Sequence, residues 1–136
     1  MRTLLIGALF AAMLALAAPA GAGSTAQIMI RHQMKGCHAW AVDNNAYRAT
    51  QHVSVARRTT FTIVNNDVMP HTLIQLGGPK VALGHALLGH MGASTKFTLL
   101  KPGTYRFGTK AGEDYKGMAM KTIGEDNVLR MTVVVP

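Results

Sequence analysis

Cys37 is the only cysteine in a chain of 136 residues that also carries six histidines and nine methionines. Thiolate, thioether and imidazole are the side chains that hold soft and borderline metal ions. In an exported protein a lone cysteine is intermolecular, reactive or occupied; the bland alternative is a small buried hydrophobe. A metal thiolate would account for a thiol that survives unpaired. Hydrolytic chemistry has no footing, because Ser, His and Asp do not stand in a nucleophile context. There is also no paired Cys-x-x-Cys and no glycine-rich phosphate loop. The chain is expected not to be an enzyme.

The residues that must position this chemistry begin after the first twenty or so. Arg2 supplies a positive start, Leu4 to Ala18 is an almost unbroken apolar run, and Ala18-Pro19-Ala20 or Ala20-Gly21-Ala22 offers a small-residue cleavage site. This order predicts a signal peptide over 1–22, with a single domain over 23–136. The apolar run is short of the ~20 residues that span a bilayer, so a soluble periplasmic or secreted protein is expected, without a membrane span after cleavage.

Removing Arg2 takes the formal charge from +8 to +7. The basic residues are scattered, only Arg57-Arg58 being adjacent, and aromatic residues do not interleave with them as stacking platforms. Nucleic acid is therefore not an expected partner. The charge suits an acidic protein partner or an anionic surface.

Short apolar or alternating segments recur, broken by turn chemistry every 8–12 residues or so, the rhythm of a sandwich or barrel. Strands are predicted at Ile28–Met34, Val53–Val55, Thr59–Val64, His71–Leu76, Ser94–Leu100, Tyr105–Thr109 and Val128–Val135. Lys35 to Thr50 reads as a polar connection with a turn at Asp43-Asn44-Asn45. Leu83, Leu87, Leu88 and Met91 sit at helical spacing, so Val81–Met91 is either a short helix or an irregular crossover. Lys101-Pro102-Gly103 is a tight turn. Lys110–Gly124 is a loop too long for a mere hairpin, and such loops are usually functional.

Two segments carry a family resemblance. Asn65-Asn66-Asp67-Val68-Met69-Pro70-His71-Thr72-Leu73 resembles the part of cupredoxins that bears their first copper histidine. Lys101-Pro102-Gly103-Thr104-Tyr105-Arg106-Phe107 resembles the strand that leads into their remaining ligands. The similarity runs from about Gln27 to Val135. It implies an all-β Greek-key sandwich of the cupredoxin type, with about seven to eight strands and the short helix or irregular crossover between two of them. The departure is equally plain. In the family, Tyr-x-Phe is followed within two residues by a ligand Cys, and then by His and Met; this stretch here holds Gly108, Thr109 and Gly112, with neither Cys nor His, and only methionine survives, as Met118 or Met120.

In the family the first strand runs alongside the third in the same direction, and the Tyr-bearing strand points at the metal pole. By that resemblance Met34, Cys37 and His38 share one polar loop, His71 a second, and Met118 and Met120 a third. The implied ligands of a mononuclear copper are Cys37, His71, His38 and Met118 or Met120, with Trp40 helping to exclude water. This is the electron-transfer set of thiolate, imidazole and weak thioether. Zinc also accepts Cys and His, but the methionine excess favours copper.

Several residues stay open. Cys37 and His38 are adjacent, and neighbours on a strand face opposite ways, so both bind only if the chain bends there. Met34 shares the Ile28 face with His32 and reads as core. Glu113 or Asp114 could replace a histidine and harden the site. His85, His90 and Met91 could form a second, looser site, although surface histidines are common. The expected function is one-electron transfer, with an acidic redox protein or a copper-handling protein as the partner. The alternatives are a copper-handling carrier or a metal-free module for protein contacts.

Overall fold

The computed structural model describes residues 23–33, 38–111 and 128–136. The predicted signal segment over 1–22, residues 34–37 and residues 112–127 lie outside that description.

Alternating side chains build the first sheet. In β1 (Thr25–His32) Ala26, Ile28 and Ile30 point inward and are buried, and in β4 (Thr60–Asn66) Phe61, Ile63 and Asn65 do the same. Period-two burial of this kind is what a strand with one covered face requires. The two strands lie parallel, with Ile28 opposite Ile63 and Arg31 opposite Asn66. β2 (His38–Val42) folds back antiparallel on β1, and β7 (Ser94–Thr98) flanks β4, giving the order β2-β1-β4-β7.

The second sheet has the order β3-β9-β8-β5-β6, made of β3 (Thr50–Ser54), β5 (His71–Gly77), β6 (Leu87–Leu88), β8 (Gly103–Ala111) and β9 (Val128–Val135). β3 runs parallel to β9, and the other pairs are antiparallel. Two sheets facing each other bury Trp40, Tyr105, Phe61, Phe107, Leu129 and Met131 between them. Tyr105 also donates its hydroxyl to the Lys101 carbonyl at 2.6 Å, tying the Pro102-Gly103 turn to the core. At Gly78 the backbone has φ +94, and a Cβ there would come within 2.4 Å of the Thr104 carbonyl oxygen. Only glycine satisfies both conditions without strain.

The architecture is the expected all-β sandwich, with two differences of detail. Nine strands occur among the described residues, where about seven to eight were expected. The segment read as polar contains β2, and all five of its residues are buried. Residues 46–51 run along its free edge: Trp40 and Arg48 exchange backbone hydrogen bonds at 3.1 Å, and Gln51 Nε2 donates to the Trp40 carbonyl at 2.7 Å. The run Ala39-Trp40-Ala41-Val42 was the apolar signal for it.

Of the two readings of Val81–Met91, the irregular crossover holds. No helix occurs among the described residues, and Leu87–Leu88 pairs with His71 and Thr72 as the short strand β6. Leu88 is fully buried while Leu87 and Met91 are exposed, so the helical spacing does not define one face. Glycines at 84, 89 and 92 lower the helical preference further.

Candidate metal centre

Five chain segments converge on one pole. The parallel pair β1 and β4 both end there, β2 starts there, and His71 opens β5 opposite Ala111, the last residue of β8. The expected meeting of the three strand ends is thus the arrangement found.

The inward face of β4 supplies the floor. Its alternation does not stop with the strand: Phe61, Ile63, Asn65 and then Asp67 are all buried, so the hydrophobic stripe becomes polar as it reaches the pole. His32 and His38 face one another across the β1–β2 hairpin, their rings edge to face with centroids 5.7 Å apart. They continue the face that holds Ile30 and Trp40. His71 arrives from the opposite sheet, fixed by the turn that ends in Pro70.

Buried polar groups persist only when they find partners, and here the partners are one another. The Asp67 Oδ2 atom accepts from His38 Nδ1 at 2.5 Å and from His71 Nε2 at 3.0 Å. The two imidazoles, both buried, stand perpendicular with centroids 4.9 Å apart. Asp67 Oδ1 accepts the Met69 amide at 3.1 Å, and the Asp67 amide donates to Asn65 Oδ1 at 2.9 Å. Asn65 completes the clamp, its Nδ2 donating to the carbonyls of Met69 and Leu88 at 2.9 and 3.0 Å. It therefore holds the turn before His71 and β6 to the floor at once.

Burial pushes the Asp67 carboxyl upward. The hydrogen bonds from His71, the Met69 amide and His38 outweigh it, so the group lies below the usual carboxylate range. An ionised carboxylate that accepts an N–H from each ring fixes which nitrogen of each carries a proton. Carboxylates play this part behind metal-bound histidines.

His71 Nδ1, the nitrogen not turned to Asp67, faces the Thr109 hydroxyl at 3.4 Å. Thr109 is buried two residues beyond Phe107, where the cupredoxin resemblance places the ligand cysteine. Of the residues singled out from the sequence, His38 and His71 come together. Cys37, Met118, Met120, Met34, Glu113 and Asp114 lie outside the described residues. His85 and His90 are exposed, and His90 Nδ1 lies 2.9 Å from the Met91 carbonyl. The bend question has a partial answer: His38 points inward.

Asp67, Asn65 and His32 were not singled out as site residues. The continued alternation Phe61-x-Ile63-x-Asn65-x-Asp67 was the signal available for the first two. His32 was placed on the Ile28 face, and its opposition to His38 needed the hairpin register.

No protein-family model matches the chain, and a search among curated proteins finds no significant match. Solved structures do match. A multicopper oxidase variant from the hyperthermophile Aquifex aeolicus aligns with a TM-score of 0.50 and 14% identity, over 84% of this chain and 27% of that one. A purple cupredoxin from Nitrosopumilus maritimus aligns at 0.49 and 17%, over 82% of this chain and 99% of that one. An amicyanin variant with Cu(I) aligns at 0.39 and 21%, over 81% and 82% of the two chains. At these identities the likeness speaks to fold alone. The fold itself is set by the chain's own topology: two mixed sheets, the parallel β1–β4 pair and the convergent pole make it a cupredoxin-like β-sandwich.

Proposed function

We propose that this chain is an extracytoplasmic copper-binding protein, not an enzyme, whose ion is held at the pole by His71 and His38 and by Cys37, the residue before His38 in the chain. One observation carries the reading: two buried imidazoles, 4.9 Å between centroids, are both oriented by the Asp67 carboxylate. The donor set fits copper. With Asp67 on one nitrogen of each ring, the second nitrogen of each, Nε2 of His38 and Nδ1 of His71, is the ligating atom, and imidazole suits copper well. Cys37 would add a soft anionic donor, and Met118 or Met120 a weak thioether.

Bound copper would supply a one-electron couple. The protein's part is to hold both rings in one tautomer, which lowers the rearrangement between oxidation states, and to keep water away with Trp40 and the surrounding core. The basic surface would dock an acidic redox protein. A second reading, a carrier that holds Cu(I) without redox cycling, is favoured by one observation: Thr109 stands where the family's thiolate would give the blue-copper bond.

The test is copper loading of the purified protein. Electron transfer predicts intense visible absorption with Cu(II), lost in Cys37→Ala, and a reversible potential. The carrier predicts tight, colourless Cu(I) binding by competition with a chromogenic chelator. His71→Ala should abolish binding in both cases. A protein that takes up neither form would be a metal-free module for protein contacts, and the copper reading would fall.

A further inference from the structure

We infer that His32, His38 and Asp67 form a cation position of their own at the mouth of the pole, reached by solvent on its His32 side and suited to a borderline divalent ion such as Zn(II). Each of the three offers one ligand atom, and these atoms lie within 4.8 Å of one another. Among the described residues this is the group of His, Cys, Asp and Glu side chains close enough to share an ion. It is distinct from the copper ligands proposed above: it uses neither Cys37 nor His71 as a ligand, and it has only His38 in common with them.

The chemistry of the set is nitrogen and oxygen without sulfur. Two imidazoles and a carboxylate, with water in the fourth place, are a common zinc set at an open site. In a tetrahedral site with bonds of about 2.0–2.1 Å, ligand atoms stand about 3.3–3.4 Å apart. His38 Nδ1 and Asp67 Oδ2 are now 2.5 Å apart, so if those two atoms ligate, the Nδ1 proton passes to Nε2 of the same ring and a sub-ångström separation admits an ion. His71 Nε2 and the Met69 amide continue to hold the carboxylate meanwhile.

Exposure sets the order of events. His38 and Asp67 are buried, whereas His32 is exposed. A buried donor pair cannot meet a hydrated ion directly, because the ion must shed water before its new ligands replace it. An exposed imidazole can take the ion while it keeps part of its hydration and then pass it inward. The hairpin register makes this possible: His32 and His38 are directly opposed, so a residue on the rim and one in the interior share one face.

The experiment is calorimetric titration of untagged protein with Zn(II), for wild type and His32→Ala, alongside Cu(I) competition on the same proteins and on His71→Ala. Because His32 is exposed, its replacement should leave the far-ultraviolet circular dichroism unchanged. The expected result is a loss of zinc affinity of about tenfold or more in His32→Ala, with Cu(I) affinity unaltered. Zinc binding in His32→Ala equal to wild type would overturn the inference, as would the absence of zinc binding in wild type. Retention of Cu(I) affinity by His71→Ala would instead remove the copper reading and leave this one standing.

Discussion

Replacing Asp67 by Asn changes the shape of the pole hardly at all and removes one charge from its centre. The carboxylate accepts three hydrogen bonds, from His38, His71 and the Met69 amide. An amide keeps one acceptor oxygen. With that oxygen toward the imidazoles, the new NH2 opposes the Met69 N–H; with it toward Met69, the NH2 opposes both rings. Either way at least one bond to a buried charged group is lost, worth about 1.5–3 kcal/mol, and those kept become neutral and weaker. The expected loss is about 2–4 kcal/mol at pH 7, or roughly 8–16 °C in Tm for a domain of this size.

The pH dependence has a definite sign. The Asp67 carboxyl in the fold lies below its ordinary value of 3.8. Its contribution is therefore complete above that pH and disappears as the pH falls through the lower, folded value. The gap between wild type and Asp67→Asn should shrink toward zero with acidification. Urea unfolding of metal-free protein, followed by fluorescence of the single, fully buried Trp40, measures this at pH 7 and at pH 3. A variant within about 0.5 kcal/mol of wild type at pH 7, the ordinary range for an unimportant surface change, would refute the account. So would a gap that widens in acid.

Two further predictions test the neighbours of Asp67. Asn65→Ala removes the donor to the Met69 and Leu88 carbonyls and the acceptor for the Asp67 amide; it should cost about 2–4 kcal/mol and speed amide exchange at Gly92, whose N–H is bonded to the Asn65 carbonyl. Exchange unchanged from wild type would show that the clamp does not hold this turn. Thr109→Cys puts a thiol where Thr109 Oγ1 now stands, 3.4 Å from His71 Nδ1. Under the copper reading it should bring intense visible absorption on Cu(II) loading, and a colourless variant that still binds Cu(II) would place the ion away from His71 Nδ1.

Much of the sandwich was legible because its cause is local. A strand with one covered face must alternate, so Thr59–Val64 and Tyr105–Thr109 could be read almost residue by residue. The turn at Lys101-Pro102-Gly103 followed from the allowed φ of Pro and Gly. Where burial came from both sides the rule failed. β2 does not alternate: all five of its residues are buried, and residues 46–51, a later part of the chain, pair along its free edge. The leucine spacing in Val81–Met91 likewise allowed a helix until pairing with His71 and Thr72 drew Leu87–Leu88 into the sheet.

The same division runs through the site. The amino-acid order by itself determined that His71 opens a strand after Met69-Pro70, that Cys37 is the one thiol, and that no cysteine follows Tyr105-Arg106-Phe107. Those are properties of neighbours along the chain. Only the tertiary structure decided that Asp67, distant in sequence from His38, would stand between two imidazoles, and that His32 would oppose His38 at the rim. Those placements come from strand register: the parallel pairing of β1 with β4 and the hairpin of β1 with β2 set which side chains share a face, and register is a property of two strands at once.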